Sequence, residues 1–236
     1  MFLRILFAKK SILLKNQNII TLTCNYICER MNYRLYVYTN LIAIGIVAFM
    51  SAILGFDTIT IGIHHFDNHF FDIFLKNYTI WAEWPVIVIG ILLLSYKDWK
   101  MGIWFSLIFG LEALFVQALK VLTNMPRPIE KFGPQIRHIN GEILKHFQAF
   151  PSGHTSAAFF ATGLILLAVP QNSQKRLFQF VLIFSAFMIA YSRIYLGQHS
   201  IEDIIAGCVI SNAFFYFAGY SFPWFNQKLN TPITHE

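Results

Sequence analysis

Three short patches, far apart in the chain, carry polar residues whose types suit chemistry on an anion. The first runs from Lys120 to Arg127 and Pro128. The second is Pro151-Ser152-Gly153-His154. The third runs from Ser192 and Arg193 through His199 to Asp203. Arginine offers a planar fork of N–H donors that matches tetrahedral oxyanions, and lysine acts as a point charge, so Lys120, Arg127 and Arg193 together suit a phosphate. Snorkelling or anchoring would explain Lys120 or Arg193 alone, but not why two histidines and an aspartate accompany them. Gly153 allows close backbone approach. A helix starting there would aim free N–H groups at an anion, with the Ser152 hydroxyl beside them and His154 placed to protonate a departing oxygen; a plain helix cap by Ser152 is the simpler alternative. His199 and Asp203, four residues apart, are expected on one helical face. A carboxylate on one imidazole nitrogen fixes the tautomer and leaves the other nitrogen to attack. A helix-capping His–Asp pair is the alternative.

The elements that must position these patches belong to a membrane. Of 236 residues, 56% are hydrophobic and only 13% charged, against about 25% charged in soluble domains. Roughly 20 apolar residues cross a bilayer as a helix, and six stretches approach this: about 36–56, 80–96 (with Glu83 near its start), 102–122, 154–169, 177–194 and 201–220. The expected fold is therefore all-α, a bundle of six transmembrane helices. Between spans one and two, Ile59, Ile63, Phe66, Phe70, Ile73 and Phe74 recur at helical spacing, which predicts an amphipathic helix over 57–79 lying on the membrane surface.

Lys97 and Lys100, Lys175 and Arg176, and Arg30 and Arg34 mark three short loops or approaches. The positive-inside rule assigns these to the cytoplasm, and counting spans then leaves both termini inside and all three polar patches outside. The net charge of +6 does not indicate nucleic acid: residues 1–30 alone hold Arg4, Lys9, Lys10, Lys15 and Arg30 against Glu29, and the other bases form no stripe. That segment has neither the charge order nor the cleavage site of a secretory signal and is read as a dispensable extension or a start misplaced upstream of Met31; an interfacial amphipathic helix is the alternative. Residues 31–222 form the six-span unit and 223–236 a cytoplasmic tail. Cys24 and Cys28 lack a second pair to complete a zinc site, Cys208 reads as a packing residue, and His65 and His69, expected on one helical face, have no supporting ligands nearby, so no metal and no cofactor are assigned.

Taken together, the patches resemble the type 2 phosphatidic acid phosphatase superfamily, the group that includes vanadium haloperoxidases and glucose-6-phosphatase. The family pattern K-x6-R-P, P-S-G-H, S-R-x5-H-x3-D is met in order by Lys120-x6-Arg127-Pro128, Pro151-Ser152-Gly153-His154 and Ser192-Arg193-x5-His199-x3-Asp203. The resemblance implies that His199 attacks phosphorus, Asp203 orients it, and His154 acts as acid and then base. Lys120, Arg127, Ser152, Gly153 and Arg193 would hold the phosphate oxygens without a metal. It also implies a lipid phosphatase, and the compact layout and outward-facing site place it in a bacterial inner membrane with the site toward the periplasm or exterior. Its substrate would be undecaprenyl diphosphate, phosphatidylglycerol phosphate, phosphatidic acid or a lipid A phosphate, and no protein partner is implied. Loop 129–150, with Glu130, Lys131, Arg137, His138, Glu142, Lys145 and His146, is either a headgroup selector or a solvated surface loop. Transfer of the phosphate to a second lipid, or a non-catalytic lipid-binding or transport role, are the alternatives.

Overall fold

The apolar runs become helices, and their ends fall where capping residues and prolines stand. The computed structural model describes residues 34–80, 84–139, 145–169 and 176–230. These form α1 (Arg34–Leu54), α2 (Phe56–His64), α3 (His69–Ile80), α4 (Trp84–Lys97), α5 (Trp99–Thr123), α6 (Pro128–Phe132), a 3₁₀ turn (Gly133–Gln135), α7 (Gly153–Ala168), α8 (Arg176–Tyr195) and α9 (Ile201–Asn230). No strand occurs among the described residues. The extension 1–30, with Cys24 and Cys28, lies outside them, as do Glu83, Glu142 and Lys175.

All six expected spans correspond to apolar helices, of which α1, α5, α8 and α9 are long and apolar enough to cross a membrane. The other two, α4 and α7, have 14 and 16 residues, or about 21 and 24 Å at 1.5 Å per residue, short of a ~30 Å hydrocarbon core. α7 is bounded by Pro151 on one side and Pro170 on the other, and proline disfavours helical conformation in the residue before it. α9 runs past the expected end at Tyr220, through Pro223 to Asn230, so residues 223–230 of the expected tail are helical.

The single amphipathic helix expected over 57–79 is two helices. The apolar spacing continues through the break, but Asn68 starts a new helix: its Oδ1 accepts hydrogen bonds from the backbone N–H groups of Phe70 (3.0 Å) and Phe71 (3.2 Å), an N-cap arrangement. His65 caps the end of α2 and His69 opens α3, so the two histidines share no helical face.

α7 is the axis of the bundle. It packs against α4, α5, α8 and α9, and is apolar all round, as a helix enclosed by others is. Phe160 of α7 meets Phe215 of α9 edge-on at 5.3 Å between ring centroids, and Phe105 of α5 meets the same ring at 5.3 Å, a geometry aromatic pairs favour. The opposite faces of the outer helices present large apolar side chains, including Ile42, Phe49 and Ile53 of α1, Leu107 and Leu114 of α5, and Phe180 of α8. Water would not tolerate such a girdle; the chain is an integral membrane protein. At one end of the bundle the Lys97 ammonium, closing α4, donates to the Leu167 carbonyl in the last turn of α7 (2.5 Å). The opposite end of α7 carries Ser152, Gly153 and His154.

Candidate active site

Each of the three polar patches sits at a helix terminus, and the backbone stitches them together. α5 stops because Asn124 turns into the left-handed region (φ 42°) and returns its N–H to the Lys120 carbonyl, which leaves Lys120 in the final turn. The segment after α5 pairs with the segment before α7: Arg127 N–H donates to His146 O (2.7 Å) and Ala149 N–H to Met125 O (3.0 Å). The Lys120 ammonium reaches Gln148 O (3.2 Å) and lies beside Gly153, where an added Cβ would stand 3.7 Å from the lysine Cε.

At the head of α7, Ser152 is the N-cap. Its Oγ accepts from Thr155 N (3.4 Å) and from Thr155 Oγ1 (2.9 Å). The Ser152 N–H donates to Asp203 O (3.0 Å), and α9 comes so close that a Cβ on Gly207 would lie 2.5 Å from Ser152 O. Only glycine permits that approach, which presses the second patch onto the third.

The third patch departs from expectation in one respect. α9 starts at Ile201, so His199 lies in the turn ahead of the helix instead of on its face. Asp203 Oδ2 accepts from Ser200 N (2.9 Å) and Ser200 Oγ (3.2 Å), a serine with an acid three residues on, as in a capping box. The same oxygen lies 3.4 Å from His199 Nδ1. Asp203 thus caps α9 and faces the imidazole at once. The N–H groups of Gln198 and His199 both donate to Arg193 O (3.1 and 3.2 Å), folding the turn back over the end of α8.

The cations are buried in the same place. Arg127 and Arg193 are each 6% exposed, a placement that is costly without partners. Arg127 Nη1 donates to the Gln198 carbonyl (3.0 Å) and side-chain oxygen (2.6 Å), and its Nε to Phe147 O (3.1 Å). Arg193 Nη1 donates to Thr79 Oγ1 (3.1 Å). The charges of Arg193, Lys120 and Arg127 all act on His154 and on His199. Burial, followed by the positive charges of Arg127, Lys120 and Arg193, holds the His199 imidazole well below the ordinary histidine value. It is therefore neutral near pH 7, the form in which a nitrogen lone pair can attack. His199 and Asp203 are buried, whereas Lys120, Gly153 and His154 are only partly so and form the open side.

All eight residues singled out by the sequence therefore gather at one end of the bundle. Sequence reasoning missed Gln198 and Thr79, which hold the two arginines. Gln198 sits inside the S-R-x5-H spacing; Thr79 comes from a helix 114 residues away and has no sequence signal. Glu112, a charge inside the third apolar stretch of the sequence, is buried in α5 and accepts a hydrogen bond from Ser156 of α7. In loop 129–150 several charges serve the frame. Lys131 pairs with Asp57 (2.5 Å), His146 with Glu130, and Arg137 with Asp72 (2.8 and 2.9 Å) and Asp67 (2.9 Å). Cys208 is buried, and its carbonyl accepts from Asn212 Nδ2 (2.8 Å).

Comparison with known proteins finds relatives in sequence and in fold. A sequence model of the PAP2 superfamily matches residues 101–227, a stretch holding all three patches. A lipid A 4′-phosphatase of Bacteroides thetaiotaomicron is 29% identical over 183 residues, 73% of this chain and 76% of the relative. Phosphatidylglycerophosphatase B of Bacillus subtilis is 24% identical over 136 residues, 56% of this chain and 63% of the relative. Among solved structures, Aquifex aeolicus LpxE superposes with a TM-score of 0.56 at 24% identity, covering 68% of this chain and 92% of that one. A PAP2-type phosphatidylglycerolphosphate phosphatase of Bacillus subtilis superposes with 0.55 at 21% identity, covering 87% and 98%. These two likenesses are of fold.

Proposed function

The chain belongs to the PAP2 superfamily, and from that premise we propose that it is a membrane lipid phosphatase working through a histidine nucleophile. The observation that carries this reading is the gathering of Arg127, Arg193, His199 and Asp203, all buried, around the head of α7. The phosphate of the lipid enters from the side of Lys120, Gly153 and His154. Lys120, Arg127 and Arg193 take the non-bridging oxygens, helped by the Ser152 hydroxyl and the Gly153 N–H. Donors set in place before the reaction stabilise the charge that develops on these oxygens, the main resource in phosphoryl transfer.

His199 donates Nδ1–H toward Asp203, which leaves Nε2 to attack phosphorus. The P–O bond to the lipid breaks as the N–P bond forms, and His154 gives its proton to the departing oxygen. In the second step His154 takes a proton from water, the water oxygen attacks phosphorus, and the N–P bond breaks to release inorganic phosphate. Three cations already neutralise the phosphate, so this reading uses no metal.

The six apolar helices all span the bilayer, the short α4 and α7 with help from flanking residues, in a bacterial inner membrane. The Lys97 end faces the cytoplasm and the site faces the periplasm. α2 and α3 lie along the outer surface, and residues 31–222 suffice for activity. The lipid A 4′-phosphatase of Bacteroides thetaiotaomicron covers the larger share of this chain, so a lipid A phosphate heads the candidates, before phosphatidylglycerol phosphate, undecaprenyl diphosphate and phosphatidic acid. The test is phosphate release from these four lipids in detergent with EDTA present. Release from at least one, as free phosphate and not as a newly phosphorylated lipid, is the expected result; no release from any, or label found only in an acceptor lipid, contradicts it.

A further inference from the structure

α4 and α8 both pack on α7 and leave beside it a crevice of about 290 Å³. Small residues of α7, Ala158, Ala161 and Thr162, form its floor. Leu182 and Ile189 of α8 wall one side, with Val86 of α4 on the other and Tyr78 of α3 at the rim. Its surface is mainly apolar and open along one side. A gap of this kind forfeits dispersion contacts unless something apolar fills it.

What fills it is indicated by where it leads. On α7, Ala158 is one turn from His154 and on the same face. On α8, Ile189 is one turn from Arg193, and its carbonyl accepts from Ser192 Oγ (2.6 Å). On α3, Tyr78 adjoins Thr79, whose Oγ1 accepts from Arg193 Nη1 (3.1 Å). The floor, the α8 wall and the rim thus lie, at the same end, within a turn of residues around the phosphate site. The other end, at Ile165, lies seven residues down α7 from Ala158, about 10 Å at 1.5 Å per residue. The matching ligand is an amphiphile with its anionic head among Lys120, Arg127 and Arg193 and one narrow apolar tail running inward along α7.

We infer that the crevice seats one alkyl chain of the lipid substrate and makes chain length a determinant of turnover. This rests on the phosphatase reading above. Ser185, a partly buried α8 residue lining the same crevice, lies away from the site. Ser185→Phe fills the space with a ring.

The experiment compares dioleoyl and dihexanoyl phosphatidic acid as substrates of the full chain. In Ser185→Phe, kcat/KM for the dioleoyl lipid is expected to fall about tenfold or more, chiefly through KM, and to stay within about twofold for the dihexanoyl lipid. An unchanged dioleoyl value, or equal loss on both lipids in a variant that elutes like the wild type, overturns the inference. If that variant does not fold, Leu182→Trp is read in the same way.

Photocrosslinking of wild-type protein with a phosphatidic acid bearing a diazirine in its chain supplies a reading independent of turnover. Label on α7 and α8 peptides spanning 158–165 and 182–189 is expected, and label confined to other lipid-facing helices overturns the inference. Absence of phosphate release from every lipid, with the crevice still labelled, would instead overturn the phosphatase reading and leave the docking site standing.

Discussion

Asp203 holds two positions at once, and this separates its contributions. Its Oδ2 caps α9 through Ser200 and faces His199 Nδ1. Asparagine keeps an oxygen for the cap, a contact worth about 1 kcal/mol, but loses the charge that steadies a cationic ring. Asp203→Asn is therefore expected to lower kcat by about 10²-fold or more with little change in KM and with thermal stability nearly intact. Steady-state kinetics and a melting curve on the same preparation check this, and an unchanged kcat would remove Asp203 from the relay.

Histidine titration gives a stability prediction of definite sign. Burial, and then the Arg137 charge, depress the His64 imidazole to about 4, and His199 is depressed in the same direction. Between the ordinary value near 6.5 and about 4, the unfolded chain binds a proton that native His64 refuses, so the folded state loses stability as pH falls through that window. Unfolding temperature in detergent should be lower at pH 5 than at pH 7, and His64→Gln should reduce the difference. An equal difference in that variant would assign the pH response to other groups.

Among the elements, α3 carries the least expected duty. Its Thr79 meets both Ser192 Oγ (3.2 Å) and Arg193 Nη1 (3.1 Å). Its other end is tied by Asp72 to Arg137 and to Tyr195 Oη (2.7 Å); the Arg137 hydrogen bond, set against partial burial, holds the Asp72 carboxyl below the usual carboxylate range. Thr79→Val, nearly the same shape without the hydroxyl, should therefore weaken phosphate binding about 10- to 150-fold in KM, as loss of a hydrogen bond to a charged group would, while Arg137→Ala should act through stability. Parallel losses in kcat for Thr79→Val would place Thr79 at the chemical step instead of at Arg193.

Much of this was legible in the sequence for physical reasons. Long apolar runs have few alternatives to helix, so the six apolar helices fall close to their expected places, four of them long enough to cross a bilayer. Pro151 and Ser152 mark the start of α7 by local chemistry alone. What escaped depends on tertiary contact or on competing local signals. The apolar spacing from Ile59 to Phe74 reads as one helix because nothing in it registers Asn68 as a cap. The i, i+4 spacing of His199 and Asp203 reads as one helical face because spacing alone does not register Ser200 as the cap that starts α9 after His199. Thr79 and Gln198 matter only through what they touch.

Taken whole, the molecule is a bundle whose most enclosed helix begins beside a buried cluster of two arginines, a histidine and an aspartate. Vanadate, which adopts five-coordinate geometry, should inhibit phosphate release at micromolar to millimolar concentrations. EDTA should leave release unchanged, and so should deletion of residues 1–30. Phosphate release by the treated enzyme and the truncated chain checks all three; collapse on truncation would assign the extension a folding role.

The central claim is that phosphate passes through His199. Rapid-quench single turnover with a ³²P-labelled lipid, on the wild type and on His154→Ala, tests it most directly. The account predicts transient acid-labile, alkali-stable label on the peptide containing His199 in the wild type, slower to form in His154→Ala, where the departing oxygen is no longer protonated, and absent from His199→Ala. Phosphate release by His199→Ala at the wild-type rate, or label residing on Ser152, would contradict it.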